Sequence, residues 1–306
     1  MPFGTVTLND GNEFPTIAFG SGTLLKGKDA SDYVTRALDA GFWHIDTAQY
    51  YQNEASVGQA IRESGLARHE LYITTKYGFG SIEDAFQGSL QKLGLTFVDL
   101  YLIHTPNAIR GQFESTWKQF EKYKEDGLTR SIGVSNFTLE DLRELLKTAH
   151  VKPAVNQIRF HPYNYAENKS LLEYSAKHGI VVEAYSSLTP LTQYPGGPVD
   201  KPIQAAAERL GATPAQVIFL WVRSKGVTIV TQSSKSERLQ EYLAAADLRK
   251  NSLLPALTDD EIDAIDKAGA QGPPSGNAWR GGAITVAKVS GLLLAIGIVT
   301  KYWGLW

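Results

Sequence analysis

FGSGTLLKG, residues 19–27, stands where the first strand of an alternating strand–helix chain gives way to its first helix. A doubly wound dinucleotide-binding sheet carries G-x-G-x-x-G at that junction, so that backbone can approach a pyrophosphate. Gly20 and Gly22 fit, but position 25 is leucine and the third glycine, Gly27, is misplaced. Outward from this stretch, β-branched runs recur at TIAFG (16–20), FWHID (42–46), LYITT (71–75), VDLYLI (98–103), TRSIGV (129–134), AVNQI (154–158), IVVEA (180–184) and VTIVT (227–231). Helical patterns lie between them: from Asp29 or Ser31 to Gly41, then over 53–65, 81–94, 112–126, 138–149, 167–179, 202–211, 214–226 and 234–247. Ser81 with Asp84 three residues on is a partial capping box. Eight strands alternating with helices predict an all-parallel sheet. That count, with the broken glycine fingerprint, selects a single α/β domain over 1–270, a closed (β/α)8 TIM barrel. GTVTL and EFPTI, on either side of the turn residues 9–12, predict a β-hairpin ahead of it.

Composition narrows the function classes. The 306 residues are 43% hydrophobic and 20% charged, as in a folded globular chain, with a net charge of −2. Phosphate neutralisation needs an excess of Lys and Arg, so no nucleic-acid partner is expected. The absence of cysteine removes disulfides, thiolate nucleophiles and Cys-ligated metals. MPFGTVTLNDGNEF has neither a basic n-region nor an apolar h-region, so a cytoplasmic setting is expected for the barrel.

A (β/α)8 barrel places its chemistry at the C-terminal ends of its strands. Read in strand order, those positions hold Gly22 and Thr23; Asp46, with Tyr51 five residues on; Lys76; His104; Ser135 and Asn136; Gln157; Tyr185 and Ser186; and Gln232, Ser233 and Ser234. Each alone has a plainer reading: an N-cap for Asp46, a solvated Lys76, a loop histidine at 104, packing for Tyr50 or Tyr51. Together they form a proton-transfer set that needs no metal. A tyrosine with its ordinary pKa of about 10 is a poor proton relay. A lysine ammonium in contact favours the phenolate and is expected to lower that value. A carboxylate keeps the lysine charged, and a histidine orients a carbonyl oxygen. This suits protonation of an aldehyde or ketone oxygen as hydride reaches carbon, and the hydride must come from a nicotinamide or flavin.

At these residues the chain resembles the aldo-keto reductases. GFWHIDTAQYYQNE (41–54), LYITTK (71–76), VDLYLIHTP (98–106), TRSIGVSNF (129–137), VNQIRFHP (155–162), VVEAYSSL (181–188) and TQSSKSERL (231–239) carry the resemblance in the family's order. It implies a catalytic tetrad of Tyr51 as general acid, Asp46 and Lys76 tuning it, and His104 orienting the carbonyl. It also implies NADP(H) bound without a Rossmann domain. Ser135, Asn136 and Gln157 match the residues that hold the carboxamide, and Tyr185 the ring stacked on nicotinamide. Ser186 and Leu188 match contacts on the pyrophosphate side. Gly22, Thr23 and Asp46 on one flank and Gln232, Ser233, Ser234, Lys235 and Arg238 on the other complete the expected cofactor set. Many members have lysine where this chain has Gln232. Arg238 can still hold a 2′-phosphate in a fork, so NADP(H) is favoured over NAD(H). His161 reads as structural.

The loops 105–113 and 188–199, with Leu24, Leu25, Tyr77 and Phe79, are expected to line an apolar mouth for a small carbonyl substrate; Trp117 reads as core. Two other functions compete with this reading. A catalytically silent binding subunit would not require the intact Asp-Tyr-Lys-His set. A metal-dependent hydrolase commonly has an H-x-H pair, which the six histidines (44, 69, 104, 150, 161 and 178) do not form, so no metal is expected. A monomer is expected. Residues 271–282, QGPPSGNAWRGG, read as a linker. The apolar segment 283–306 reads as a helical tail: Ala283 to Thr300 spans about 27 Å as helix, with Trp279 and Trp303 at interfacial positions. It is expected to anchor the barrel to a membrane.

Overall fold

In this computed structural model the described residues are 4–246 and 254–274. A hairpin of β1 (Thr5–Thr7) and β2 (Glu13–Pro15) precedes the barrel strands β3 (Ile17–Gly20), β4 (His44–Asp46), β5 (Tyr72–Tyr77), β6 (Val98–Ile103), β7 (Thr129–Ser135), β8 (Val155–Arg159), β9 (Val181–Tyr185) and β10 (Thr228–Thr231). These eight are parallel and close in sequence order, with β10 hydrogen-bonded to both β9 and β3. The helices are α1 (Ser31–Ala40), α2 (Glu54–Glu63), α3 (Ile82–Leu93), α4 (Phe113–Glu125), α5 (Leu139–Leu145), α6 (Tyr165–His178), α7 (Thr189–Gln193), α8 (Asp200–Leu210), α9 (Pro214–Ser224), α10 (Ser236–Ala246) and α11 (Asp259–Gly269).

The two-residue period of each strand separates two cores. Ile45, Ile73, Tyr101, Ile103, Ile132, Val134 and Val182 face outward and pack with helix residues such as Val34, Phe86, Trp117 and Phe219. Tyr72, Leu100, Leu102 and Val155 face inward, where Phe14 of the hairpin plugs the N-terminal end of the barrel. Phe14 meets His44 and Tyr72 edge-on at 5.3 and 5.4 Å. Asn12 fastens the hairpin by donating to the Arg130 carbonyl and Ser131 Oγ. With that end sealed, the opposite mouth is left for chemistry. Trp117 is core as expected, its indole N–H donating to the Val151 carbonyl at 2.8 Å.

The structure departs from the sequence expectation at several places. Lys76 lies within β5 and not after it. Tyr77 and Leu25 do not line the mouth: both are buried in the outer core, and the Tyr77 hydroxyl donates to the Gly80 carbonyl. Their strand or turn parity points them away from the barrel axis. α5 stops at Leu145 and continues in tight turns to Ala149. The sequence reading did not include α11, although Thr258 and Glu261 form a full capping box at its start. Residues 271 and 272 close α11 in hydrogen-bonded turns. The rest of the expected linker from residue 275, and the apolar tail 283–306, lie outside the described residues. Among the described residues no helix is long and apolar enough to cross a membrane.

Candidate active site

Because side chains alternate along a strand, Asp46, Lys76, Gln157, Glu183 and Tyr185 all belong to the inward set and converge at the C-terminal mouth. The fully buried Lys76 ammonium donates to Asp46 Oδ1 at 2.6 Å and to the Thr47 carbonyl at 3.0 Å. Tyr51 sits on a 3-10 turn, Gln49–Tyr51, with its ring centre 5.1 Å from Lys76 Nζ. The His104 ring packs edge-on against Tyr51 at 5.4 Å and against Tyr50 at 5.8 Å. Gly22 lies behind Tyr51: a Cβ there would come within 2.7 Å of the phenol ring. Glycine at 22 therefore makes room for the tyrosine.

The electrostatics depart from the sequence expectation at one point. The Lys76 ammonium does favour the Tyr51 phenolate, but burial among barrel atoms outweighs it, and the phenol is raised above its ordinary value. Some of the Tyr51 side chain reaches solvent, yet the protein around it is dense enough to penalise the charged form. Burial also pulls Lys76 down, but Asp46 and Tyr51 pull harder, so its ammonium is held above the usual lysine range. Burial, aided by Lys76 and Lys26, pushes His104 down to about 3, which keeps its imidazole neutral. At neutral pH the site thus holds a protonated phenol, a neutral imidazole and a buried ion pair.

One hydrogen-bond network joins this set to its neighbours. Ser135 Oγ donates to the Gln157 backbone carbonyl at 2.8 Å. Asn136 Nδ2 donates to the His104 carbonyl at 3.0 Å and to Ser135 Oγ at 3.1 Å, while its Oδ1 accepts from the Tyr185 hydroxyl at 2.8 Å. Gln157 Nε2 donates to Asp46 Oδ2 at 2.8 Å and to Glu183 Oε2 at 2.7 Å. Among the described residues the non-glycine positions in the left-handed region are Thr23, Gln52, Asn136 and Ser186. Each lies at this mouth, where unfavourable backbone is commonly held for function.

At the far side, Ser233 Oγ accepts from the Lys235 amide at 3.1 Å, and Arg36 Nη1 donates to the Ser234 carbonyl at 3.3 Å. Gln232 Nε2 is buried without a hydrogen-bond partner among the described residues. Lys235 and Arg238 are exposed, Arg238 on the first turn of α10, and neither forms an ion pair among the described residues. Ser186 is exposed, and Leu188 packs half-buried against the outer core.

The sequence profile of the Aldo/keto reductase family matches residues 2–270. The chain belongs to the aldo/keto reductase family. It is 40% identical over 245 residues to an NAD/NADP-dependent indole-3-acetaldehyde reductase of Schizosaccharomyces pombe, covering 76% of this chain and 86% of that protein. A glyoxal reductase of Bacillus subtilis is 39% identical over 275 residues, covering 88% and 95%. A Bombyx mori aldo-keto reductase solved with NADP is 32% identical, with a TM-score of 0.76 over 87% of this chain and 93% of that one.

The barrel of this reductase brings together the expected tetrad and the nearby set Ser135, Asn136, Gln157 and Tyr185. The loop of Gln232, Ser233, Ser234, Lys235 and Arg238 is not hydrogen-bonded to them; it follows β10 and leans on α1 through Arg36. Tyr50, for which packing is the plainer reading, is at the mouth, with Lys26 Nζ 3.4 Å over its ring. Leu24 and Phe79, expected to line the mouth, are exposed. His161 is buried and pushed down to about 4 by burial, and its backbone N–H donates to Asn164 Oδ1. The sequence reading missed Glu183. Burial, then the Asp46 charge, pushes its carboxyl up to about 8. The available signal was a carboxylate inside the apolar run IVVEA, two residues before Tyr185 and so on the same face.

Proposed function

We propose that this reductase converts aldehydes or ketones to alcohols with NADPH, and that Tyr51 is the general acid. The observation that carries this reading is the buried Lys76–Asp46 pair at 2.6 Å beneath a protonated Tyr51, with a neutral His104 packed on its ring. A neutral imidazole can donate a hydrogen bond to a carbonyl oxygen without giving up its proton, which fixes the oxygen near the phenol. As negative charge grows on that oxygen, Tyr51 releases its proton to it. The Lys76 ammonium stabilises the phenolate left behind, and Asp46 keeps that ammonium in place.

NADP(H), when bound, supplies the hydride that no side chain can. The residues present fit it. Ser135, Asn136 and Gln157 would hold the carboxamide and Tyr185 the nicotinamide ring, with Gly22, Thr23 and Asp46 on one flank. Ser186 and Leu188 would meet the pyrophosphate side. At the adenosine end, the Gln232 amide, without a partner among the described residues, and the exposed cations Lys235 and Arg238 offer donors and charge to a ribose phosphate. The Bombyx mori relative solved with NADP supports the choice, and the Schizosaccharomyces pombe relative is named for both NAD and NADP.

The test is NADPH consumption over a panel of small aldehydes, α-dicarbonyls and ketones. Turnover of none of them would refute the reading. Arg238→Ala is expected to weaken NADPH about tenfold or more, the loss of one charge-assisted contact, while NADH loses much less. Equal losses would show that Arg238 does not read the 2′-phosphate.

We also propose that residues 283–306 anchor this barrel to a membrane from the cytoplasmic side. The support is compositional: the segment has charges only at Lys288 and Lys301 and has Tyr302, Trp303 and Trp306 at one end. The full chain is expected to need detergent for extraction, and a chain ending at Gly272 to be released by salt alone with its activity retained. Release of both by high salt would refute the anchor.

A further inference from the structure

Glu183 has no part in the mechanism above, yet it is fully buried in β9, directly across the sheet from Gln157 in β8 and from Thr228 in β10. Its Oε2 accepts one N–H of the Gln157 amide at 2.7 Å, and Asp46 Oδ2 accepts from the same nitrogen at 2.8 Å. Its Oε1 has no hydrogen-bond partner among the described residues. A side-chain amide has two N–H donors and one carbonyl. Both Gln157 donors are thus directed at carboxyl groups on opposite sides. Rotating the amide by half a turn would set its carbonyl oxygen against two carboxyl oxygens at under 3 Å. That arrangement is repulsive when either group is ionised, so the Gln157 carbonyl is kept as the free end of the amide. Among the described residues, no hydrogen bond to that oxygen occurs.

We propose that Glu183 is a positioning residue for the cofactor: by holding one N–H of Gln157, it presents the Gln157 carbonyl oxygen to the carboxamide N–H2 of the nicotinamide. Asp46 alone cannot do this, because one acceptor leaves the second N–H free and the amide can turn about the remaining bond. Glu183 and Asp46 together clamp it, and Asp46 is already held by Lys76. The clamp therefore ties recognition of the nicotinamide head to the ion pair beneath Tyr51. The inference rests on the NADPH-dependent reading above, and it extends that reading to a residue that touches neither cofactor nor substrate.

The test is a binding cycle, read without turnover. One ligand is NADPH; the other is its 3-acetylpyridine analogue, in which a methyl ketone replaces the carboxamide and the N–H2 is lost. Dissociation constants are measured by quenching of protein fluorescence for the wild-type chain, Glu183→Leu and Glu183→Gln. The wild type is expected to prefer NADPH about tenfold, the effect of one well-placed hydrogen bond in a buried site. Glu183→Leu is expected to lose most of that preference, with NADPH weakened and the analogue nearly unchanged. Glu183→Gln, whose amide oxygen can still accept from Gln157, is expected to keep it. A merely structural role would weaken both ligands alike, leave the preference intact in Glu183→Leu, and overturn the proposal. Glu183→Ala carries the same expectation if Glu183→Leu does not fold. A wild-type chain that binds neither ligand would instead refute the NADPH-dependent reading itself.

Discussion

Tyr51→Phe is expected to slow carbonyl reduction by about 10²–10⁴-fold, the usual effect of losing a positioned general acid. The substitution keeps the ring, so the edge-on contact with His104 and the packing against Gly22 survive. What disappears is the phenolic proton assigned above to the carbonyl oxygen. His104, pushed down to about 3, carries no exchangeable charge at neutral pH and cannot substitute. Lys76 is held in its ammonium form by Asp46 and is occupied by two hydrogen bonds. NADPH affinity should change less than about threefold, since the phenol is not assigned to the cofactor and a surviving ring keeps its packing. Tyr50→Phe is the control, because the neighbouring ring stays between Lys26 and His104 without its hydroxyl. Single-turnover reduction by both variants is the measurement. Near wild-type rates in Tyr51→Phe would remove Tyr51 from the mechanism.

Stability should fall steeply as pH drops below about 6.5. His44, His104 and His161 are held neutral by burial, at about 3, about 3 and about 4. In the unfolded chain each takes up a proton near its ordinary value of about 6.5. Between those limits the unfolded state binds more protons, so each histidine makes the fold less stable as pH falls, by about 1.4 kcal/mol per pH unit. Glu183 acts in the opposite sense. Its carboxyl is raised to about 8, so the folded state holds a proton that the unfolded chain releases above about 4.5, and its contribution is lost as pH rises to 8. Three histidines against one carboxyl leave a net decline on the order of 2–3 kcal/mol per unit between about pH 6 and 4.5. As the histidines of the unfolded chain lose their protons above pH 6.5, the Glu183 effect takes over, so maximum stability is expected between about pH 6.5 and 7. Urea unfolding midpoints of the barrel at pH 7.5, 6.5, 5.5 and 4.5 read this directly. A flat profile from 6.5 to 4.5 would contradict the burial of these imidazoles as neutral groups.

Asp46, Lys76 and His104 were legible because strand ends in a closed parallel barrel share one mouth, and strand ends can be read from β-branched runs and the helical patterns between them. The broken glycine fingerprint at 19–27 and the count of eight runs likewise determined the barrel without coordinates. Leu25 and Tyr77 were misplaced because closeness in sequence to Gly22 and Lys76 says nothing of direction: alternate strand positions face opposite sides, and Tyr77 follows the inward Lys76. Whether the Tyr51 phenol rises or falls could not be read from residue types, since the lysine pulls one way and burial the other. Only the packed density around the ring decides which prevails. Glu183 was lost inside an apolar run for a related reason. Its partner Gln157 is 26 residues away in the chain and becomes a neighbour only when β8 and β9 pair in register. The barrel and the residue types at its mouth were thus readable from the chain alone, because both follow from local periodicity. The direction of the Tyr51 shift and the two carboxyl contacts of the Gln157 amide emerge only on folding, because they depend on distances between strands and on water excluded by the whole barrel.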